Sequence, residues 1–273
     1  MPRHVFFVSD HTGITAETLG RALLTQYEGL DFQFTSWPFL DTVDKADAAV
    51  GQINTATKAS GQRSLIFSTL VNPEVRKVIA KGDGLLIDFF DAFGATLEKE
   101  LGVDTSQVAG VSHSARNYAS YTARIDALNF SLTNDDGAMN SNYQAADLIL
   151  LGVSRSGKTP TALYMALQFG ILAANYPLTE DDLEANHLPR KLKGFRSRLF
   201  GLIIDPERLR EIRERRLPGS RYADIQQCRY EIQRVEAFYR MEAIPYLNTT
   251  TMSIEEIATT IMQKTGLQRR LFG

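Results

Sequence analysis

One segment of the chain has the residue types and the spacing that phosphate binding requires. It reads Gly152-Val153-Ser154-Arg155-Ser156-Gly157-Lys158-Thr159. In such a loop, glycines allow successive backbone N–H groups to point at phosphate oxygens, a lysine reaches the terminal phosphates, and a hydroxyl binds magnesium. We therefore expect the whole segment to bind a nucleotide, with Lys158 as a catalytic residue and Thr159 as a ligand of Mg²⁺.

The flanking sequence supports this interpretation of the loop. The apolar run 148–151 predicts a buried strand before it, and helical spacing continues after it to about residue 172. Bound phosphates would then lie at the N-terminus of a helix, where the backbone dipole favours anions. Pro160 is compatible with the first helical turn, since the N–H that it lacks would have no partner within the helix.

A loop of this kind also requires an acid at the end of a neighbouring strand. Asp205 follows the apolar run 202–204 and is the candidate, with a catalytic role. An aspartate before a proline equally predicts the N-cap of a helix, so both roles stay open. One or two arginines of the next segment could stabilise a transferring phosphoryl group, while most are expected to face solvent or pair with glutamates: Arg208, Arg210, Arg213, Arg215, Arg216 and Arg221.

Small polar residues follow the first predicted strand, in the segment Ser9-Asp10-His11-Thr12-Gly13. Backbone N–H groups at Thr12 and Gly13 could contact a phosphate, and Asp10 could accept a proton as a catalytic residue. A purely structural turn is the stronger interpretation of this segment.

Two further residues could contact phosphate, namely His113 and Arg116. A lone histidine is more often structural than functional. The other histidines have no spacing that predicts a metal site.

Strand and helix patterns alternate along the chain, which predicts an α/β fold with mainly parallel sheets. The cluster Asn134-Asp135-Asp136-Gly137 follows a predicted helix over 115–132 and interrupts the pattern. We place a domain boundary near residue 140. The prediction is an N-terminal parallel-sheet α/β domain, 1–140, followed by a P-loop kinase-like α/β domain, 141–273.

Composition narrows the function classes. The chain has 273 residues and a net charge of −2, and its basic residues lack interleaved aromatics, so a nucleic-acid partner is not expected. Residues 1–145 carry 11 basic and 17 acidic side chains, a net −6, which leaves a net +4 for the second half, where the loop lies. No apolar run is long enough for a membrane span, and the one cysteine, Cys228, excludes an internal disulfide. We expect a cytoplasmic protein.

Four segments together resemble a known family. They are 9–17 (SDHTGITAE), 152–160 (GVSRSGKTP), 201–208 (GLIIDPER) and 253–258 (SIEEIA), and the similarity covers essentially the whole length. The chain resembles the bacterial phosphoenolpyruvate synthase regulatory proteins and their relatives that regulate pyruvate, phosphate dikinase. The segment 13–17 (GITAE) is more similar to the synthase group.

The resemblance implies two opposing activities. One is a protein kinase that takes its phosphoryl group from ADP, makes AMP, and inactivates phosphoenolpyruvate synthase at a threonine next to the catalytic phosphohistidine. The other uses inorganic phosphate to remove that group and releases pyrophosphate. The residues leave other functions open: a P-loop kinase for a small molecule, a nucleotide-gated binding module, or the same activities directed at the dikinase. They also leave open a homodimer.

Overall fold

The computed structural model describes residues 2–104, 118–135, 142–185 and 187–269. The chain forms two compact units, Met1–Ser114 and Ala115–Gly273. The boundary that we predicted near residue 140 lies outside the described residues. The helix predicted over 115–132 belongs to the second unit, because it packs on elements that follow it in the chain.

The first unit alternates strands and helices. Its elements are β1 (Arg3–Ser9), α1 (Ile14–Leu24), β2 (Phe32–Trp37), α2 (Val43–Ser60), β3 (Ser64–Thr69), α3 (Pro73–Ile79), β4 (Gly84–Asp88) and α4 (Phe89–Leu101). The strands form a parallel sheet in the order β2-β1-β3-β4. The central strands β1 and β3 are buried on both faces, which explains their continuous apolar runs.

Helix boundaries in the first unit follow from their caps. The α4 helix begins at Phe89, because the Asp88 carboxylate accepts hydrogen bonds from the N–H groups of Phe90 and Asp91, both at 3.0 Å. The α2 helix stops at Gly61, whose φ of 65° is left-handed.

The second unit repeats the alternation. Its elements are α5 (Tyr118–Thr133), β5 (Leu148–Gly152), α6 (Lys158–Phe169), β6 (Ala173–Pro177), α7 (Glu180–Glu184), a 3-10 segment (Arg190–Arg198), β7 (Leu199–Ile203), α8 (Pro206–Arg216), a 3-10 turn (Arg221–Ala223), α9 (Ile225–Met241), β8 (Tyr246–Asn248) and α10 (Ile254–Thr265). Its parallel sheet has the order β6-β5-β7-β8. The α/β prediction is therefore confirmed.

The β6 strand was not predicted. Its sequence AANYP is short, ends in proline and contains alanines and an asparagine, all of which are uncommon in strands. Pairing decides its conformation, because it lies beside β5 with Leu150 opposite Asn175. The α6 helix also ends before the predicted residue 172, at Gly170 with a φ of 68°.

Candidate functional site

The predicted phosphate loop connects β5 to α6. Two of its residues have left-handed backbone angles, Arg155 with a φ of 74° and Gly157 with a φ of 94°. Gly157 is the N-cap of α6, and no described side chain caps this end of the helix. A side chain of the described residues therefore does not take up the first-turn N–H groups of α6, which leaves them available to an anion at the helix N-terminus.

Crowding requires a glycine at the start of the loop. A Cβ atom on Gly152 would lie 2.5 Å from the Ser156 Oγ and 2.8 Å from the Leu202 carbonyl oxygen. Both distances are below van der Waals contact. A residue with a Cβ atom therefore does not fit at position 152 in this loop conformation.

The protein holds the carbonyl side of the loop. The Leu178 N–H donates to the Gly152 carbonyl at 3.1 Å, and the Lys158 Nζ donates to the Val153 carbonyl at 3.0 Å.

Two carbonyls further along the loop are held by more distant side chains. Arg213 Nη2 donates to the Ser154 carbonyl at 3.2 Å, and Thr249 Oγ1 donates to the Ser156 carbonyl at 3.3 Å.

These carbonyl contacts determine where the loop amides point. In a trans peptide the C=O and the following N–H point in opposite directions. Each N–H group that follows a held carbonyl therefore points away from the group that holds that carbonyl. This arrangement can receive an anion.

Lys158 is only 4% exposed, and its ammonium group lies against the loop itself through the Val153 carbonyl. A lysine buried in this position can place a positive charge beside a phosphate bound to the loop amides. The Ser156 Oγ is buried and has no hydrogen-bond partner among the described residues.

Arg213, one of the six candidate arginines, supports the loop through its hydrogen bond to the Ser154 carbonyl. Arg213 of α8 is 1% exposed and pairs with Glu231 of α9 at 2.6 Å. It also lies 4.1 Å above the Tyr222 ring, whose hydroxyl is 2.8 Å from the Ser154 Oγ. Burial by itself would lower the pKa of the Arg213 guanidinium, but the hydrogen bonds and charge of Glu231 outweigh it and the pKa is raised. We call Arg213, Glu231 and Tyr222 the loop support.

A carboxylate that the sequence analysis did not select lies beside the loop threonine. The Thr159 hydroxyl is 2.9 and 3.2 Å from the two carboxylate oxygens of Asp135, to which it donates. The Asn175 side-chain amide also donates to Asp135. We interpreted 134–137 as chain punctuation, and only its position after a helix that packs on α6 gives Asp135 this neighbour.

Asp205 is the N-cap of α8. Its carboxylate accepts from the Glu207 N–H at 3.0 Å, and its own N–H donates to Thr250 Oγ1 at 2.8 Å. It lines a groove of about 400 Å³ together with residues of α9 and β8. Of the two roles that the sequence left open, the structure shows the helix cap. A catalytic role for Asp205 stays a prediction.

In the first unit, Asp10 follows β1. Its carboxylate accepts from the N–H groups of Val71 and Asn72, at 2.7 and 3.0 Å, and so joins the β1 and β3 ends. Gly13 has a φ of 74° and is the N-cap of α1, preceded by Thr12. These contacts favour the structural turn, and the catalytic role of Asp10 and the phosphate contacts of Thr12 and Gly13 stay predictions. His113 and Arg116 lie outside the described residues.

The described residues contain neither a cluster of potential metal ligands nor a helix that could span a membrane. Across 2–104, 118–135, 142–185 and 187–269, no three His, Cys, Asp or Glu side chains come close enough together to hold a metal ion. Within the same residues, no helix has both the length and the hydrophobicity needed to cross a membrane.

Comparison with known proteins identifies the family of the chain. A family model described as Kinase/pyrophosphorylase matches residues 5–262. A protein of Alkalilimnicola ehrlichii is 54% identical over 99% of this chain and 98% of its own length, and one of Hahella chejuensis is 52% identical over 99% and 100%. A third, from Halorhodospira halophila, is 53% identical over 98% of both chains. All three are provisionally named phosphoenolpyruvate synthase regulatory protein. The chain belongs to the kinase/pyrophosphorylase family.

Proposed function

We propose that this protein is a bifunctional regulator of phosphoenolpyruvate synthase in the cytoplasm. In one direction it phosphorylates a threonine of the synthase with ADP as donor and inactivates it. In the other it removes that phosphoryl group with inorganic phosphate and releases pyrophosphate. The observation that carries the proposal is the loop 152–159, with its carbonyls held by the protein and its lysine buried against it.

The loop fits a diphosphate donor. With ADP, the β-phosphoryl group is terminal, so the Lys158 ammonium would contact the group that moves. The threonine oxygen forms a bond to the β-phosphorus, the bond to the bridging oxygen breaks, AMP leaves, and the hydroxyl proton is released. Catalysis of this kind depends on positioning and on stabilising charge, both of which fixed loop amides and an ammonium group supply.

The reverse activity is compatible with the same loop. An oxygen of inorganic phosphate forms a bond to the phosphorus of phosphothreonine, and the bond to the threonine oxygen breaks. The threonine oxygen takes up the proton that hydrogen phosphate loses, so the products are pyrophosphate and the free hydroxyl. Pyrophosphate resembles the diphosphate part of ADP, so one set of amides can serve both reactions.

Magnesium is the expected partner of the diphosphate. Because no cage of acidic and histidine ligands exists among the described residues, the ion would depend on phosphate oxygens for part of its coordination. Thr159 is the residue of the loop that would contribute a protein ligand, and the carboxylate beside it fits a cation. The ion would neutralise charge on the phosphates.

The target is proposed from the relatives. Three proteins at 52–54% identity over nearly full length carry the synthase regulator name. Identity at this level across both units makes the same protein substrate the first choice here.

A donor test examines the proposal. The purified protein is incubated with Mg²⁺, active synthase, and either ADP or ATP, and AMP and phosphothreonine are quantified. The phosphorylated synthase is then incubated with phosphate or with buffer, and pyrophosphate is measured. We expect AMP only with ADP and pyrophosphate only with phosphate. Matched reactions replace the synthase with pyruvate, phosphate dikinase or with a metabolite panel.

The other outcomes each contradict the proposal in a different way. Transfer to a metabolite rather than to the synthase would identify a small-molecule kinase. Transfer only to the dikinase would reassign the target. ADP binding without AMP formation in any reaction would identify a nucleotide-gated binding module.

A further inference from the structure

Among the described residues, the carboxylate of Asp135 has no salt-bridge partner. It is partly buried, and its neighbours are the neutral Thr159 hydroxyl and the neutral Asn175 amide. In the described part of the chain it forms no salt bridge with a lysine, arginine or histidine. Removing a carboxylate from water without a counter-charge is unfavourable, so a cation at this position would stabilise the arrangement.

The hydrogen bond from Thr159 has the direction that metal binding needs. A hydroxyl has one proton and two lone pairs. Donation of the proton to Asp135, at 2.9 Å, leaves two lone pairs as acceptors, of which the Asn175 amide uses one at 3.3 Å and a cation could take the other. A hydroxyl that ligates a cation must direct its proton elsewhere, and an adjacent carboxylate is the typical acceptor.

Asn175 holds the carboxylate in place. Its side chain is 1% exposed and donates to Asp135 and, at 3.3 Å, to the Thr159 Oγ1. Its backbone N–H donates to the Asn134 carbonyl at 3.0 Å, which fixes the end of α5 beside β6. The Asn175 Oδ1 is buried without a partner in the described residues, which is unfavourable unless the site gains a further group.

We propose that Asp135 is the acidic group of the magnesium site in this P-loop unit. It holds the proton of the Thr159 hydroxyl, directs a lone pair of that hydroxyl to the ion, and supplies the negative charge. The inference rests on the proposed function, since it takes the loop to bind a magnesium–nucleoside diphosphate. It transfers to Asp135 the role first considered for Asp205, whose carboxylate is used to cap α8.

The test measures how strongly magnesium enhances ADP binding. Calorimetry gives the ADP affinity with Mg²⁺ and with EDTA for the unchanged protein, Asp135→Asn and Asp205→Asn. Loss of a metal-orienting group typically weakens metal affinity about 10–100-fold. We expect Asp135→Asn to bind ADP normally in EDTA and to lose about tenfold or more of the enhancement by Mg²⁺. Asparagine also caps helices, so Asp205→Asn keeps both its fold and the enhancement.

A second pair of variants protects the test against misfolding. Thr159→Ser keeps the hydroxyl and should keep the enhancement, while Thr159→Val should lose it, and Asp135→Asn should add little to the Val variant. Electron paramagnetic resonance of Mn²⁺ with ADP reports the ion directly, and its bound signal should weaken in Asp135→Asn. Full enhancement in Asp135→Asn, or its loss in Asp205→Asn, overturns the assignment. Absence of ADP binding by the unchanged protein would instead contradict the proposed function.

Discussion

At the scale of single residues, two positions of the loop accept few other side chains. Gly152 has no room for a Cβ, and Lys158 is buried with its ammonium group against a carbonyl of its own loop. Gly152 is required for its small size and Lys158 for its charge. Substitution of Gly152 should therefore lower stability, and substitution of Lys158 should lower activity.

Lys158→Ala should fold and lose activity in both directions. Removing one preorganised charge donor typically lowers the rate by a factor of about 10²–10³. AMP formation and pyrophosphate formation measure the two directions, and circular dichroism verifies the fold. Lys264→Ala, an exposed lysine on α10, is the matched control and should retain activity. Near-normal turnover of Lys158→Ala would contradict the loop assignment.

Gly152→Ala should be destabilised. The new methyl would meet the Ser156 side chain at 2.5 Å and a backbone carbonyl at 2.8 Å. Overpacking of this kind costs about 1–3 kcal/mol, measurable by urea unfolding. Gly194→Ala is the control, because a Cβ there meets nothing within 4 Å. Equal stability of the two variants would show that the loop can relax around the methyl.

At the scale of elements, α8 and α9 support the loop through one ion pair. Arg213 reaches from α8 to the Ser154 carbonyl, and Glu231 of α9 fixes the guanidinium. The loop support thus connects the packing of two helices to the backbone of the predicted phosphate loop. The side chains of Arg213 and Glu231 are 1% and 13% exposed, so their charges depend on each other.

Arg213→Met should weaken both folding and ADP binding, because it leaves Glu231 buried without a counter-charge. Breaking a buried pair in this way costs about 3–5 kcal/mol. In the double variant Arg213→Met with Glu231→Met, stability should largely return, while ADP affinity stays low since the Ser154 carbonyl remains without its donor. Thermal unfolding and calorimetry separate the two effects. Recovery of ADP affinity together with stability would reduce the pair to a purely structural role.

At the scale of the whole molecule, the single cysteine reports on the second unit. Cys228 is fully buried in its core, and burial raises the pKa of the thiol. The reactive species is the thiolate, so both its access and its population are reduced in the folded protein.

Alkylation of Cys228 at neutral pH should therefore be at least about a hundredfold slower in the folded protein than in urea. Saturating ADP with Mg²⁺ should slow it further, because a ligand that binds only the folded state stabilises that state. Mass spectrometry of the labelled protein measures both rates. Rapid labelling under native conditions, with or without ADP, would contradict a closed core around α9.

The sequence by itself determined the α/β class, most strands and helices, and the position of the predicted phosphate loop between a strand and a helix. These features depend on local patterns: apolar runs predict buried strands, and the loop residues are adjacent in the chain. It did not predict β6, whose AANYP sequence becomes a strand only through pairing with β5. Nor did it indicate which of six arginines is buried, since that depends on the packing of α8 against α9.

Only the tertiary structure decided which acid lies beside Thr159. Asp205 follows a strand and has the expected local context, yet its carboxylate is used by the N–H of Glu207. Asp135 lies 24 residues before Thr159 in an unpatterned polar turn, and the packing of α5 on α6 and β6 places it there. Hydrogen bonds between distant residues leave no periodic signal in the chain, because side-chain spacing encodes only neighbours on the same element.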